Sequence, residues 1–178
     1  MNTDQLLELR RCRNVIRWHT WPHADRQNLA DHQWSVALTC AWLCEWNPSR
    51  DLLLAALLHD AHEIETGDVP STASWRFGKN QSPEIQVKAQ LGGTEVFPPL
   101  NADDQKILFW ADKLDMLLYA NEQRELGMRT FDKVFDRVVR KLLPGWPNAP
   151  ERVRELFMSC MEERGYLEEN PDVAEKIT

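Results

Sequence analysis

The chain has 178 residues, 43% of them hydrophobic and 28% charged, with a net charge of −7. Length and composition suit a single globular domain, residues 1–178, with a full apolar core, and they exclude a disordered chain. The acidic excess, crowded at Glu162, Glu163, Glu168, Glu169, Asp172 and Glu175, excludes a basic footprint for duplex nucleic acid.

The sequence predicts helices almost throughout. Asp4 to Asn14 reads as a short charged helix, followed by a loop from Trp18 to Arg26 that contains Pro22. A long amphipathic helix opens at Asn28 or Ala30 and runs to about Trp46, with Val36, Thr39, Cys40, Leu43 and Trp46 at helical spacing. Asn47-Pro48 stops it, and Ser49 is placed to cap the next helix, Asp51 to Glu65, which is apolar on most sides. A turn is expected from Thr66 to Thr72, a mobile loop from Trp75 to Pro83, and a short helix from Glu84 to Leu91, ended by Gly92-Gly93. Asn101 caps a long helix from Ala102 to about Leu126, ended by Gly127. Phe131 to Leu143 is another helix, and Pro150 sits in the first turn of a last one reaching Arg164. The expectation is an all-α bundle of about six to eight helices, with a core over about 10–145 and a C-terminal helix and acidic tail over 150–178. The tail beyond Tyr166 reads as poorly ordered. The stripe Phe131, Val134, Phe135, Val138, Val139, Leu142 and Leu143 reads either as core or as an exposed oligomer interface.

The four cysteines, Cys12, Cys40, Cys44 and Cys160, match no zinc or redox spacing and are read as reduced thiols. The N-terminus shows no signal-peptide pattern, and the longest apolar run, Leu52 to Leu58, is too short to span a bilayer. A cytoplasmic location without membrane partners is expected.

His59-Asp60 ends that apolar run, where an unpaired carboxylate is costly. Imidazole beside carboxylate is metal-ligand chemistry. His32 precedes His59 by 27 positions, enough to leave one helix and return along its neighbour. Asp112 interrupts a further apolar face formed by Leu108, Ala111, Leu114 and Tyr119. His32, His59, Asp60 and Asp112 would then converge from three helices on a divalent transition metal such as zinc, cobalt or manganese. Singly, each has a plainer explanation as a cap, a surface group or a salt-bridge partner; the combination is the stronger signal. Glu63, three to four positions past the doublet, shares its helical face and can hold or move a proton.

This pattern, His32…His59-Asp60…Asp112, resembles the HD-domain phosphohydrolase superfamily. Arg17-Trp18, His59-Asp60-Ala61-His62-Glu63, Gly67-Asp68-Val69-Pro70 and Ala111-Asp112-Lys113-Leu114-Asp115 resemble its small 5'-deoxynucleotidase branch. The Arg17-Trp18-His19-Thr20 segment looks more like a group of short phage proteins that includes dATP triphosphohydrolases. The likeness covers about residues 10 to 130. It implies a metal-dependent enzyme acting on a small deoxynucleotide, with dATP going to deoxyadenosine and triphosphate, and with a dNMP 5'-deoxynucleotidase as the alternative. It also implies a homo-oligomer and, for a phage protein, the host cytoplasm. By the same resemblance Glu63 takes the acid/base role, where alone it reads equally as a surface helix residue, and Arg17 binds the 5'-phosphate with a fork suited to phosphate, where alone it reads as a solvated arginine. Trp18 stacks on the base or belongs to the core, and His19 and Thr20 line the base pocket. Asp68 accepts from the deoxyribose 3'-hydroxyl or closes an Asx turn. Lys79 reaches outer phosphates, with which a second divalent ion can travel, or is a solvated loop lysine. Lys113 contacts phosphate or pairs with a carboxylate, while His23 and His62 are read as exposed or supporting. A non-catalytic nucleotide- or protein-binding module is the competing class, favoured by the eight tryptophans and the acidic tail.

Overall fold

The computed structural model describes residues 2–70 and 81–177, with side chains from 84 onward in the second stretch. It is all-α: among the described residues there is no strand, only an isolated antiparallel bridge between Ile16 and Asn28. The helices are α1 (Thr3–Leu9), α2 (Leu29–Leu43), α3 (Arg50–Leu58), α4 (Glu63–Thr66), α5 (Gln81–Gln90), α6 (Gly93–Val96), α7 (Ala102–Glu125), α8 (Asp132–Leu142), α9 (Glu151–Glu163), α10 (Tyr166–Glu169) and α11 (Pro171–Ile177). The chain divides into two compact units, Met1–Leu108 and Phe109–Thr178, with the boundary inside α7. No described helix is long and apolar enough to cross a membrane.

The expected caps form. Asn28 accepts from the Asp31 N–H while the Asp31 carboxylate accepts from the Asn28 N–H, a capping box that starts α2. Ser49 Oγ accepts from the Leu52 N–H at 3.0 Å and donates to Asp104 Oδ2 at 2.9 Å, so the cap of α3 is tied to the first turn of α7. Asn101 Oδ1 accepts from the Asp104 N–H at 2.8 Å and starts α7.

The first unit packs α2 against α3. Val36 and Cys40 of α2, and Leu52 and Ala56 of α3, are fully buried. A smaller cluster gathers Cys12, Leu29 and Ala61, with Leu9, Val15, Leu58, Ile64 and Phe97 around it. The helix expected over Asp51 to Glu65 is not continuous. It stops at Leu58, and the next bonds run from the N–H of Ala61, Glu63, Ile64 and Glu65 to the carbonyls of Leu58, Asp60, Ala61 and His62, a tighter i to i−3 pattern. The Asp4 to Asn14 helix likewise tightens, to a 3₁₀ turn over Arg10–Asn14.

The second unit is built on aromatic contacts: Tyr119 with Phe131, Phe135 with Tyr166 and Trp146 with Phe157, at centroid distances of 5.6, 5.3 and 5.0 Å. The apolar stripe of Phe131 and α8 is core: Phe131, Val134, Phe135, Val138, Val139 and Leu142 are all buried, so of its two readings the core one holds and the exposed interface does not. The tail beyond Tyr166 is helical rather than loose. Tyr166 and Val173 are buried, and Trp146 Nε1 donates to the Ile177 carbonyl at 3.2 Å.

Candidate metal centre

His32 sits one turn into α2 and is fully buried; His59 is the C-terminal cap residue of α3. Their Nε2 atoms approach to 3.2 Å. Asp60 Oδ2 lies 3.3 Å from His59 Nε2 and 3.7 Å from His32 Nε2. The three donor atoms form a triangle of the size a tetrahedral ion requires, since ligand bonds of about 2.0–2.2 Å set ligand–ligand edges of roughly 3.3–3.6 Å. His59 Nδ1 is 2.9 Å from the Ala56 carbonyl, a bond that places the ring proton on Nδ1 and turns the Nε2 lone pair toward His32 and Asp60. Two imidazoles and a carboxylate facing one point therefore fit a divalent transition metal. Burial by itself would raise the Asp60 carboxyl, but the charge and hydrogen bond of His59, then Arg17 and His32, outweigh it and hold Asp60 well below the ordinary carboxylate range.

Arg17 is held beside this triangle by the chain's crossing of the α2 N-terminus. Its N–H donates to the Gln27 carbonyl at 3.0 Å, and the Leu29 N–H donates to Val15 at 2.9 Å. The buried guanidinium places Nη1 3.3 Å from Asp60 Oδ2 and 3.8 Å from Glu63 Oε2. Glu63 is 7% exposed, and its Oε2 has no hydrogen-bond partner among the described residues. Burial, then the Asp60 charge, raise Glu63 to about 8 against the pull of Arg17. The i to i−3 turn accounts for the pairing: with three residues per turn, Asp60 and Glu63 eclipse, so both reach the same arginine.

Trp18 follows with φ +58, a left-handed backbone that costs a bulky residue on the order of 1–2 kcal/mol. Two bonds hold it there. Its N–H donates to Asp68 Oδ2 at 3.0 Å and its indole Nε1 donates to Gln27 Oε1 at 3.0 Å. Asp68 reaches back because Gly67 turns the chain at φ +70, ψ 169, a region essentially closed to other residues. His19 Nδ1 lies 3.7 Å from Asp68 Oδ2, and His19 and Thr20 are exposed beside it.

Of the sequence-predicted residues, the first unit brings together His32, His59, Asp60, Arg17, Glu63, Trp18 and Asp68. Asp112 lies on α7 in the second unit, half-buried, with Lys113 Nζ 2.5 Å from its Oδ2; Lys113 is thus a carboxylate partner. Lys79 falls outside the described residues. His23 lies against the Trp21 carbonyl at 2.8 Å. His62 is half-buried rather than exposed, with an Nδ1 that has no hydrogen-bond partner among the described residues and a pKa lowered by burial. All four cysteines are thiols; burial raises Cys12 to about 11 and so keeps it protonated.

Three contributors were not singled out from the sequence. Gln27 holds both Arg17 and Trp18, and buried Gln33 follows His32 with its Nε2 unpartnered among the described residues. Arg11 ties Glu8 to Glu65 and the Ile64 carbonyl, pinning the first 3₁₀ turn to α4. Glutamine carries no periodicity signal, and the Arg11–Glu65 pair spans 54 residues.

The HD domain family model matches residues 9–138. No curated protein matches the chain. Among solved structures, the cyanophage S-2L HD phosphohydrolase DatZ, bound to dA and one catalytic Zn2+, is 18% identical with a TM-score of 0.60, covering 92% of this chain and 96% of that one. An HD-domain phosphohydrolase of Listeria innocua is 16% identical with a TM-score of 0.71, covering 98% and 97%. A Pyrococcus horikoshii protein is 20% identical with a TM-score of 0.70, covering 93% and 99%. At these identities the structures share the fold, while the family match spans well over half of the chain and takes in His32, His59, Asp60 and Asp112: the chain belongs to the HD domain family, a family of metal-dependent phosphohydrolases.

Proposed function

We propose that the protein hydrolyses the 5'-phosphate ester of deoxynucleotides, with dATP going to deoxyadenosine and triphosphate. The observation that carries this is the meeting of a metal-type donor triangle, His32, His59 and Asp60, with one buried arginine and one raised carboxyl. Asp112 is the proposed fourth ligand. In support, the family match that takes in His32, His59 and Asp60 takes in Asp112 as well. A bound zinc, cobalt or manganese ion would supply Lewis acidity and an activated water. Arg17 offers its fork to the phosphoryl oxygens and stabilises the charge that builds there. Glu63, protonated near neutrality, is suited to give a proton to the departing 5'-oxygen. Asp68 is suited to accept from the 3'-hydroxyl, and the Trp18–Thr20 segment to line the base. The dA and zinc in the DatZ structure support this choice of base, sugar and metal.

The test is turnover of dATP, dGTP, ATP and dAMP by zinc-, cobalt- and manganese-loaded protein, with tripolyphosphate, pyrophosphate and phosphate measured separately. Tripolyphosphate from dATP in preference to ATP is the expected result. Faster phosphate release from dAMP would replace this reading with that of a 5'-deoxynucleotidase. Purified protein that holds no metal, with a melting point indifferent to all three ions, would overturn both.

A further inference from the structure

A polar cavity of about 490 Å³ lies wholly within the second unit. Five cationic side chains line it: Arg124, Arg129, Lys133, Arg137 and Arg164. Its three carboxylates are Asp132, Asp136 and Glu169, so its lining is net positive in a chain whose net charge is −7. Two of the carboxylates are already engaged. Asp132 Oδ1 accepts from Arg164 Nη2 and faces Arg124 Nε at 3.2 Å, one acid against two arginines. Asp136 Oδ1 accepts from the Tyr166 hydroxyl at 2.6 Å and from Arg140 Nε at 2.8 Å. The Tyr166 phenol is raised by burial, then by Asp136, and so adds no negative charge.

Arg164 is the built part of this cavity. Its side chain is 5% exposed, its guanidinium lies 3.8 Å above the Phe135 ring, and its Nη1 has no hydrogen-bond partner among the described residues. A buried arginine stays protonated and is costly unless its charge is met. Stacking on an aromatic face and pairing with one carboxylate orient the fork without using all of it. Arg129 and Lys133 add exposed positive charge at the rim.

We propose that this cavity is a second ligand site, outside the HD centre, for a small phosphate-bearing anion. The volume is that of a small-molecule pocket. Dispersed cations around one oriented guanidinium suit an anion with several charged oxygens. The negative charge of the whole chain disfavours a long polyanion such as nucleic acid.

The probe is inorganic tripolyphosphate, titrated calorimetrically into a His59→Ala/Arg17→Ala protein so that the HD centre neither binds nor turns over. One tripolyphosphate per chain is expected to bind, and the affinity falls about tenfold or more when Arg129→Ala/Lys133→Ala is added. Both rim residues are exposed, so the melting point of that variant stays at the parent value, and in the otherwise native protein the pair leaves hydrolysis intact. A parallel titration with dATP separates the sources: equal or tighter binding than tripolyphosphate identifies a nucleotide, weaker binding a free oligophosphate. Equal binding of citrate, no binding at all, or binding indifferent to the rim pair overturns the proposal.

Discussion

The turn from His59 to Asp68 and the helix α8 are segments of similar length with opposite logic. In α8 every apolar position is buried at helical spacing. In the turn, tight i to i−3 bonds bring a lowered carboxylate and a raised carboxyl to the same arginine, with a strained Trp18 beside them. One segment is arranged for packing. The other gathers groups whose mutual repulsion makes sense when a cation and a phosphate sit among them. Substitutions in the two segments therefore separate activity from stability.

His59→Ala sharpens this contrast most. Hydrolysis is expected to fall below detection, and added zinc is expected to raise the melting point of the parent protein but not that of the variant. A variant that retains turnover and zinc stabilisation would remove the metal centre from the turn. Leu142→Ala makes the opposite separation. Its side chain is 1% exposed, so denaturant unfolding should show a loss of about 2–5 kcal/mol, with kcat per folded molecule unchanged. A fall in kcat without a fall in stability would erase the contrast. Arg17→Lys keeps the charge and loses the fork. Its kcat/KM is expected to drop about 10²-fold, with the melting point close to the parent.

The smallest effect is a pH dependence. Folding raises Glu63 from 4.5 to about 8, so the folded chain holds this proton more tightly than the unfolded one. Its contribution to the stability of the metal-free protein is fully present below about 4.5 and is lost as pH rises through about 8. Glu63→Gln should flatten the melting-point profile of metal-free protein across that window. An unchanged slope would assign it to another group.

Much of this contrast was legible in the sequence. The caps at Asn28, Ser49 and Asn101, the apolar period of α8 and the His–His–Asp pattern each rest on residue types with a single strong preference. The break after Leu58 was not legible, because Asp60 to Glu65 contains no proline or glycine and each residue tolerates a regular helix. Burial of the C-terminal tail was hidden for a related reason. Tyr166 and Val173 anchor it from seven positions apart, too sparse to register as a stripe among so many acids. Gln27 escaped because its task, holding Arg17 and Trp18, belongs to a crossing of two chain segments rather than to a motif.

The tight turn also sets how this segment can diverge. One residue inserted between Asp60 and Glu63 would swing the Glu63 carboxylate by about 100–120° around the turn axis, away from Arg17. A deletion would do the same in the other sense. The stretch from His59 to Glu63 is therefore length-locked: relatives with this chemistry can exchange the half-buried side chain at His62, while gains and losses of residues must collect elsewhere, as in the exposed Ala24–Arg26 stretch.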